Sequence, residues 1–395
     1  MEHNFKIVKM SSNFVNLTLL INVERVASPF LEGELKRALA TKQLWFRFTC
    51  PLILACAAGE ALAQTIPAAP TLGAASIERA VEQVRVPPSI RSEFDYIMTA
   101  RVRLLLFWVG KDDVGGGYIR LGTSPQDGSL EVINLLIGSD PAKAPRAINR
   151  WGLASEIFHT SPESSGGFDS SVFFGFMKVS SGTSVAEMQK ELAKEKQSGN
   201  FLFSAILNQA GPDENFAKTV PFASSTDFTI HDLERAEPVV LEHLMNSEGR
   251  LRTADAGEFQ ACHRTEGFLS SVSELVDAAL SGRQAPVSNC YLYNGQRFTL
   301  KLKQTTRVPR RDIHITLRDV PHDYSRTYHD LLLASFDNFN ETTKTGGSFE
   351  LLLGTSGALR GAPVQITYQP NWWFQVILNL KTPSESETAQ KTPAY

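Results

Sequence analysis

Residues 290–302 read CYLYNGQRFTLKL. Asn294-Gly295 stands between two alternating runs, and Asn-Gly supplies the left-handed backbone conformations that a two-residue hairpin turn requires. The stretch therefore predicts a β-hairpin. Further along, DIHITLRDV (312–320), YHDLLLASF (328–336), SFELLLG (348–354) and PVQITYQPNWWFQVILNL (363–380) keep the strand pattern. Four to six antiparallel strands are expected here. Upstream, GFLSSVSELVDAALSG (267–282) places Phe268, Val272, Leu275, Val276 and Leu280 on one helical face. The C-terminal part thus reads as a β-rich domain over residues 260–382 with one leading helix.

The preceding half mixes both element types. SIERAVEQVRVPP (76–88) predicts a short helix, capped by Ser76 and stopped by Pro87-Pro88. FDYIMTARVRLLLFWV (94–109) ends in a run that is apolar at every position and predicts a buried strand. Three glycines in GKDDVGGGYIRLG (110–122) predict a hairpin or bulged turn. Strands are expected over 130–137, 171–179, 201–207 and Phe228–Ile230, and helices over 185–197 and Leu233–Met245. The polar, glycine-punctuated stretch 246–257 predicts a domain boundary. The expected fold class is α+β: strand-rich, mainly antiparallel sheets with a few flanking helices. It divides into domains 76–246 and 260–382, followed by a polar, disordered tail at 383–395.

The chain has 395 residues, 42% hydrophobic and 21% charged, with a formal net charge of −3. That apolar content excludes a wholly disordered chain. The near-neutral balance argues against a dedicated nucleic-acid binder. No cofactor motif is present, and the mature chain has no stretch that predicts a transmembrane helix.

A targeting signal lies at residues 44–63, within a leader of residues 1–63. Lys42 and Arg47 precede an apolar run, FTCPLILACAA (48–58), and Ala61-Leu62-Ala63 offers the small residues a signal peptidase accepts. Cleavage is expected between Ala63 and Gln64. Residues upstream of Leu44 fit a mis-assigned start; the alternative is that residues 1–63 form a long leader or an N-terminal anchor. A second reading takes Ile53-Leu54-Ala55-Cys56 as a lipobox, with a lipid anchor on Cys56. Either way the chain is expected to be exported: periplasmic, cell-surface or secreted. Cleavage after Ala63 removes Cys50 and Cys56 and leaves Cys262 and Cys290, a candidate disulfide in an oxidising compartment.

Candidate site residues are few. Asp112 and Asp113 beside the glycine run have the chemistry to meet a ligand, although the following YIRLG is strand-like, not the helix that nucleotide loops need. Trp151 and Trp373 are candidate contacts. Trp372 and Trp373 are adjacent, so in a strand they face opposite ways and at most one joins a core. His314, His322 and His329 have spacings that fit no zinc motif, so no metal site is assigned. The basic cluster Arg307, Arg310, Arg311 and Arg318 reads as a solvated edge strand.

The segments DDVGGGYIRLG (112–122), APRAINRWGLASE (144–156) and ITYQPNWWFQVIL (366–378) together resemble uncharacterised exported proteins of environmental bacteria. The resemblance brings no activity, cofactor or catalytic residue. The expected function is a non-catalytic protein of the periplasm or cell surface that binds a small ligand or an envelope protein. One alternative is an extracytoplasmic hydrolase that converges Asp112, Glu156 and His159. Another is a structural or assembly protein of the envelope, marked by a large exposed apolar patch.

Overall fold

The computed structural model describes residues 74–104, 107–160, 168–178, 201–211, 215–247, 249–252, 262, 267–283, 286–318 and 323–381. The expected leader, the helix expected at 185–197 and the expected C-terminal tail lie outside them.

Helix α1 (Ala74–Arg85) leads into β1 (Ser89–Leu104), β2 (Phe107–Thr123), β3 (Leu130–Ser139), β4 (Trp151–Thr160), β5 (Phe168–Lys178), β6 (Phe201–Ala210) and β7 (Phe216–Ser224). Helix α2 (Leu233–Asn246), β8 (Arg250–Arg252) and helix α3 (Phe268–Leu280) follow. A second meander closes the chain: β9 (Val287–Tyr293), β10 (Gln296–Ile315), β11 (Tyr324–Asn340), β12 (Thr345–Gly354), β13 (Pro363–Asn371) and β14 (Phe374–Lys381).

The fourteen strands among the described residues form one sheet, in the order β8-β7-β6-β5-β4-β3-β2-β1-β14-β13-β12-β11-β10-β9. Every pairing between its strands is antiparallel. Among the described residues the architecture is a nearly closed barrel with three α-helices. It is closer to all-β than to the expected α+β class. Asn294-Gly295 makes the expected turn, with φ of 52° and 67°. The expected segments 76–246 and 260–382 recur as two meanders, but the ladder from Asp95–Lys381 to Val102–Phe374 joins them into one sheet.

Two apolar cores flank this sheet. One lies on its inner side, where α3 packs among residues of both meanders: Met98, Phe173 and Ile206 from the first, Tyr291, Phe336 and Val376 from the second. The other lies outside, where α1 and α2 cover Trp151, Phe174, Phe203 and Leu207. Neighbours such as Phe173 and Phe174 therefore enter different cores. That is why 171–178 and 201–207 are apolar almost continuously and show weak alternation.

The free edges β8 and β9 do not pair with each other. Side chains bridge the gap. Asn208 on β6 donates Nδ2–H to the Leu292 carbonyl (3.3 Å), and its Oδ1 accepts the Asn294 N–H (3.0 Å). Thr219 on β7 donates to Asn294 Oδ1 (3.3 Å), and Phe173 meets Tyr293 edge-on at 5.2 Å.

Several local expectations need correction. LLLFWV is not one buried strand: β1 ends at Leu104, β2 begins at Phe107, which pairs with Leu104, and Phe107, Trp108 and Val109 are exposed, while residues 105 and 106 lie outside the described residues. Gly115–Gly117 are not the turn but paired residues of β2. They are small because neighbouring backbone crowds them. A Cβ on Gly117 would lie 1.9 Å from the Leu136 carbonyl oxygen, and one on Gly116 2.3 Å from that of Tyr96. Phe228–Ile230 is irregular, while FAKTVPFAS (216–224), not foreseen as a strand, is β7. The basic run on β10 does occupy an edge: β9 pairs only with Gln296–Leu302, so Arg307, Arg310 and Arg311 lie beyond its reach.

Cys262 and Cys290 are bonded, with Cα atoms 5.4 Å apart. The bond ties the segment before α3 to edge strand β9. Closing a loop across a separation of 28 removes unfolded-state entropy, which contributes about 3–4 kcal/mol. Replacing both cysteines with serine is expected to lower the urea-unfolding free energy by about that amount. Unchanged unfolding of the double variant, or two titratable thiols in the denatured wild-type segment, would refute the bond's role.

Candidate functional site

The sequence candidates go to different places. Asp112 and Asp113 sit in a bulge of β2: Met98 pairs with Gly115 and Ala100 with Lys111, so three residues oppose Thr99. Asp113 adopts φ 49°, a left-handed conformation that Asp tolerates better than most residues. Thr99 donates its hydroxyl to Asp112 Oδ1 at 2.8 Å, and the Thr316 N–H donates to Oδ2 at 3.2 Å. Lys143 Nζ donates to both oxygens of Asp113 at 3.1 and 3.2 Å, and the Arg318 N–H reaches Oδ2 at 3.2 Å. The pair thus holds the chain leaving β10 against β2. Trp151 is fully buried in the outer core and donates Nε1–H to the Phe228 carbonyl at 2.9 Å. It is a packing residue, not a contact.

The hydrolase constellation does not assemble. Glu156 pairs across the ladder with Ile133, and Ile133 with Leu121, nine residues along β2 from Asp112. At about 3.3 Å per residue that is roughly 30 Å. His159 lies further still, opposite Leu130. Among the described residues no three His, Cys, Asp or Glu gather in a metal-holding group. His314 is exposed, with Nε2 3.2 Å from Asp323, and His322 lies outside the described residues.

Glu156 has another role. It projects from β4 into the inner core with no exposed surface and meets the N-terminus of α3. The Leu269 N–H donates to Oε2 at 2.7 Å, the Ser270 N–H to Oε1 at 3.2 Å, and the Ser270 hydroxyl also donates to Oε1. Ser270 Oγ in turn accepts the Gly267 N–H at 3.0 Å. These N–H groups are ones a helix leaves unpaired at its start. Gly267 is required by contact, since a Cβ there would lie 2.5 Å from the carboxyl carbon. Burial pushes the Glu156 carboxyl above the usual range, against the pull of the Ser270, Leu269 and Gly267 hydrogen bonds.

Trp373 belongs to a different arrangement. It is half-buried and packs 5.9 Å from Phe374, while Trp372 beside it is 68% exposed. Both form the β13–β14 turn, since Asn371 pairs with Phe374. The β1–β2 tip lies alongside: the Arg103 N–H donates to the Trp373 carbonyl at 2.7 Å. That tip exposes Phe107 (74%), Trp108 (38%) and Val109 (39%). Two neighbouring hairpin ends therefore share a rim of exposed aromatic and aliphatic side chains. Sequence reasoning weighed Trp372 and Trp373 but missed Phe107, Trp108 and Val109. The available signal was the pattern around LLLFWV, an apolar run with Arg103 on one side and Gly110-Lys111 on the other.

Next to the rim, a groove of about 240 Å³ crosses the outer face of the sheet, lined by Arg101, Arg311, Glu350, Gln365 and Ile377 among others. Arg311 donates to Gln365 across it at 3.3 Å.

No family model matches this chain, and no curated protein does. Among solved structures, it is similar to a beta-barrel-like protein of a domain of unknown function, DUF1849, from Brucella abortus. The two are 9% identical, with a TM-score of 0.24, over 74% of this chain and 98% of that one. The likeness carries no argument about function.

Because the native carboxyl of Glu156 holds its proton to higher pH than the unfolded one, its contribution to stability is greatest below pH about 4.5 and is lost as pH rises through the native value. Glu156→Gln keeps an acceptor for the helix and removes the titration. Its melting temperature is expected to fall less than that of the wild type between pH 4 and pH 8. Glu156→Ala leaves two buried N–H groups unpaired and is expected to cost at least about 2 kcal/mol at any pH. Parallel pH profiles for wild type and Glu156→Gln would contradict this assignment.

Proposed function

We propose that the protein is an exported, non-catalytic binding protein of the cell envelope, and that its contact surface is the rim formed by Phe107, Trp108, Val109, Trp372 and Trp373. The exposed tips carry this reading. Solvent-exposed aromatics in a shared patch mark interaction sites more often than catalytic ones. The candidate polar residues support a binding role over catalysis, because each is engaged in holding the fold: Asp112 and Asp113 at the bulge, Glu156 at α3. The inner side of the sheet is packed with α3 and its neighbours, which favours an external contact over an enclosed ligand.

Export rests on the segment 44–63, on its cleavage site and on the disulfide between Cys262 and Cys290, a bond suited to an oxidising compartment. The resemblance of DDVGGGYIRLG, APRAINRWGLASE and ITYQPNWWFQVIL to exported bacterial proteins points the same way.

Mass spectrometry of the protein recovered from a bacterial envelope fraction is expected to show Gln64 as the first residue, or a lipidated Cys56 in the anchored alternative. A chain that keeps its leader and stays in the cytoplasm would defeat the export reading. For the contact surface, tryptophan emission is expected to shift to shorter wavelength when a detergent-free envelope extract is added. The shift is expected to vanish in F107S/W372S. An unaltered spectrum for the wild-type chain would remove the rim as the contact surface.

A further inference from the structure

We propose that the paired hairpin tips dock on a phospholipid bilayer and prefer one with anionic headgroups. The proposal rests on reading the rim as the contact surface and names what occupies it.

Shape is the first argument. The exposed apolar side chains stand at the ends of two hairpins, not in a groove. A stable protein interface buries about 800 Å² on each partner, drawn from roughly 20–30 residues. Phe107, Trp108, Val109 and Trp372 on two tips fall far short of that number. A bilayer asks for less, because penetration of the tips alone removes their apolar surface from water. Phe107 to Val109 spans about 7 Å along the strand, which matches the roughly 5–10 Å over which interfacial elements enter the headgroup and acyl boundary. Tryptophan is the residue most suited to that depth, with an apolar ring and a polar N–H.

Charge is the second argument. From Ala100 to Lys111 the hairpin carries Arg101, Arg103 and Lys111 and no acidic residue. The β13–β14 hairpin carries no charged residue from Val364 to Leu380. Neither Arg101 nor Arg103 forms an ion pair among the described residues. The nearby acids are turned to other tasks. Asp112 accepts from Thr99 and Thr316, Asp113 from Lys143 and Arg318, and Glu350, in the groove beside Arg101, from Ser335. Burial lowers the Lys111 pKa, and the Arg318 charge lowers it further, so Arg318 stands near Lys111 as another cation at this end of the molecule. The result is an apolar tip with a cationic collar, the arrangement that binds anionic lipid surfaces.

Flotation of the full chain with vesicles tests this. Vesicles of phosphatidylethanolamine and phosphatidylglycerol are compared with vesicles of phosphatidylcholine alone. The wild type, F107S/W372S and R101Q/R103Q carry the same leader, so differences among them read the tips. F107S/W372S is expected to lose at least about tenfold in partitioning to anionic vesicles. R101Q/R103Q is expected to lose roughly fivefold per cation there and to match the wild type on phosphatidylcholine. Melting temperature confirms folding of each variant. Should F107S/W372S fail to fold, R101Q/R103Q alone decides, and equal partitioning of that variant and the wild type on anionic vesicles overturns the proposal. Equal partitioning of F107S/W372S and wild type also overturns it. An emission shift with envelope extract but none with either vesicle overturns the lipid occupant and leaves the contact surface standing; no shift with any of them overturns both.

Discussion

A carboxyl group with no access to water holds the start of α3, and the interior of the barrel is arranged around it. Glu156 comes from the first meander and α3 leads the second, so the contact couples two chain segments more than a hundred residues apart. Buried ionisable groups are costly unless every oxygen finds a donor. Here the donors are helix N–H groups that would themselves be costly if left unpaired. Each requirement answers the other. Gly267 makes room for the carboxyl, Ser270 relays between it and the backbone, and Cys262, five residues before Gly267, is tied to β9.

The sequence made some of this legible. Alternation plus Asn294-Gly295 located the second meander, because there one face of the sheet carries the core and the pattern is simple. The single-period reading weakened in the first meander, where α1 and α2 cover the outer face and neighbouring residues such as Phe173 and Phe174 enter separate cores. Helix α3 was visible as a helix but not as an interior one. Its Ser270 and Ser271 look like a polar face in sequence, yet both are fully buried. The pairing of β1 with β14 joins positions near 98 and 378 and leaves no local mark in either segment. It is what turns two sheets into one.

The site was legible only in part. Adjacent Trp372 and Trp373 announced two differently placed rings, and the structure separates them into an exposed and a half-buried one. Phe107, Trp108 and Val109 were hidden by a sound rule misapplied: a run of apolar residues usually means burial. The polar candidates erred in the opposite direction. Asp112, Asp113 and Glu156 look reactive in a sequence, whereas in the fold each is satisfied by backbone N–H donors from distant elements.

The seam between β8 and β9 gives the molecule an unusual mechanical character. A closed barrel resists opening equally all round, because every strand is laddered on both sides. This one has a line along which side-chain bonds from Asn208 and Thr219 replace the ladder. The disulfide fastens the α3 segment to the strand on one side of that line, and Glu156 grips the same helix from across the interior. Opening the seam therefore means withdrawing the helix. Under oxidising conditions the sheet behaves as a latched cylinder, and with the cysteines reduced it is a strip held in a curl by packing and by the hydrogen bonds of Asn208, Thr219 and Glu156.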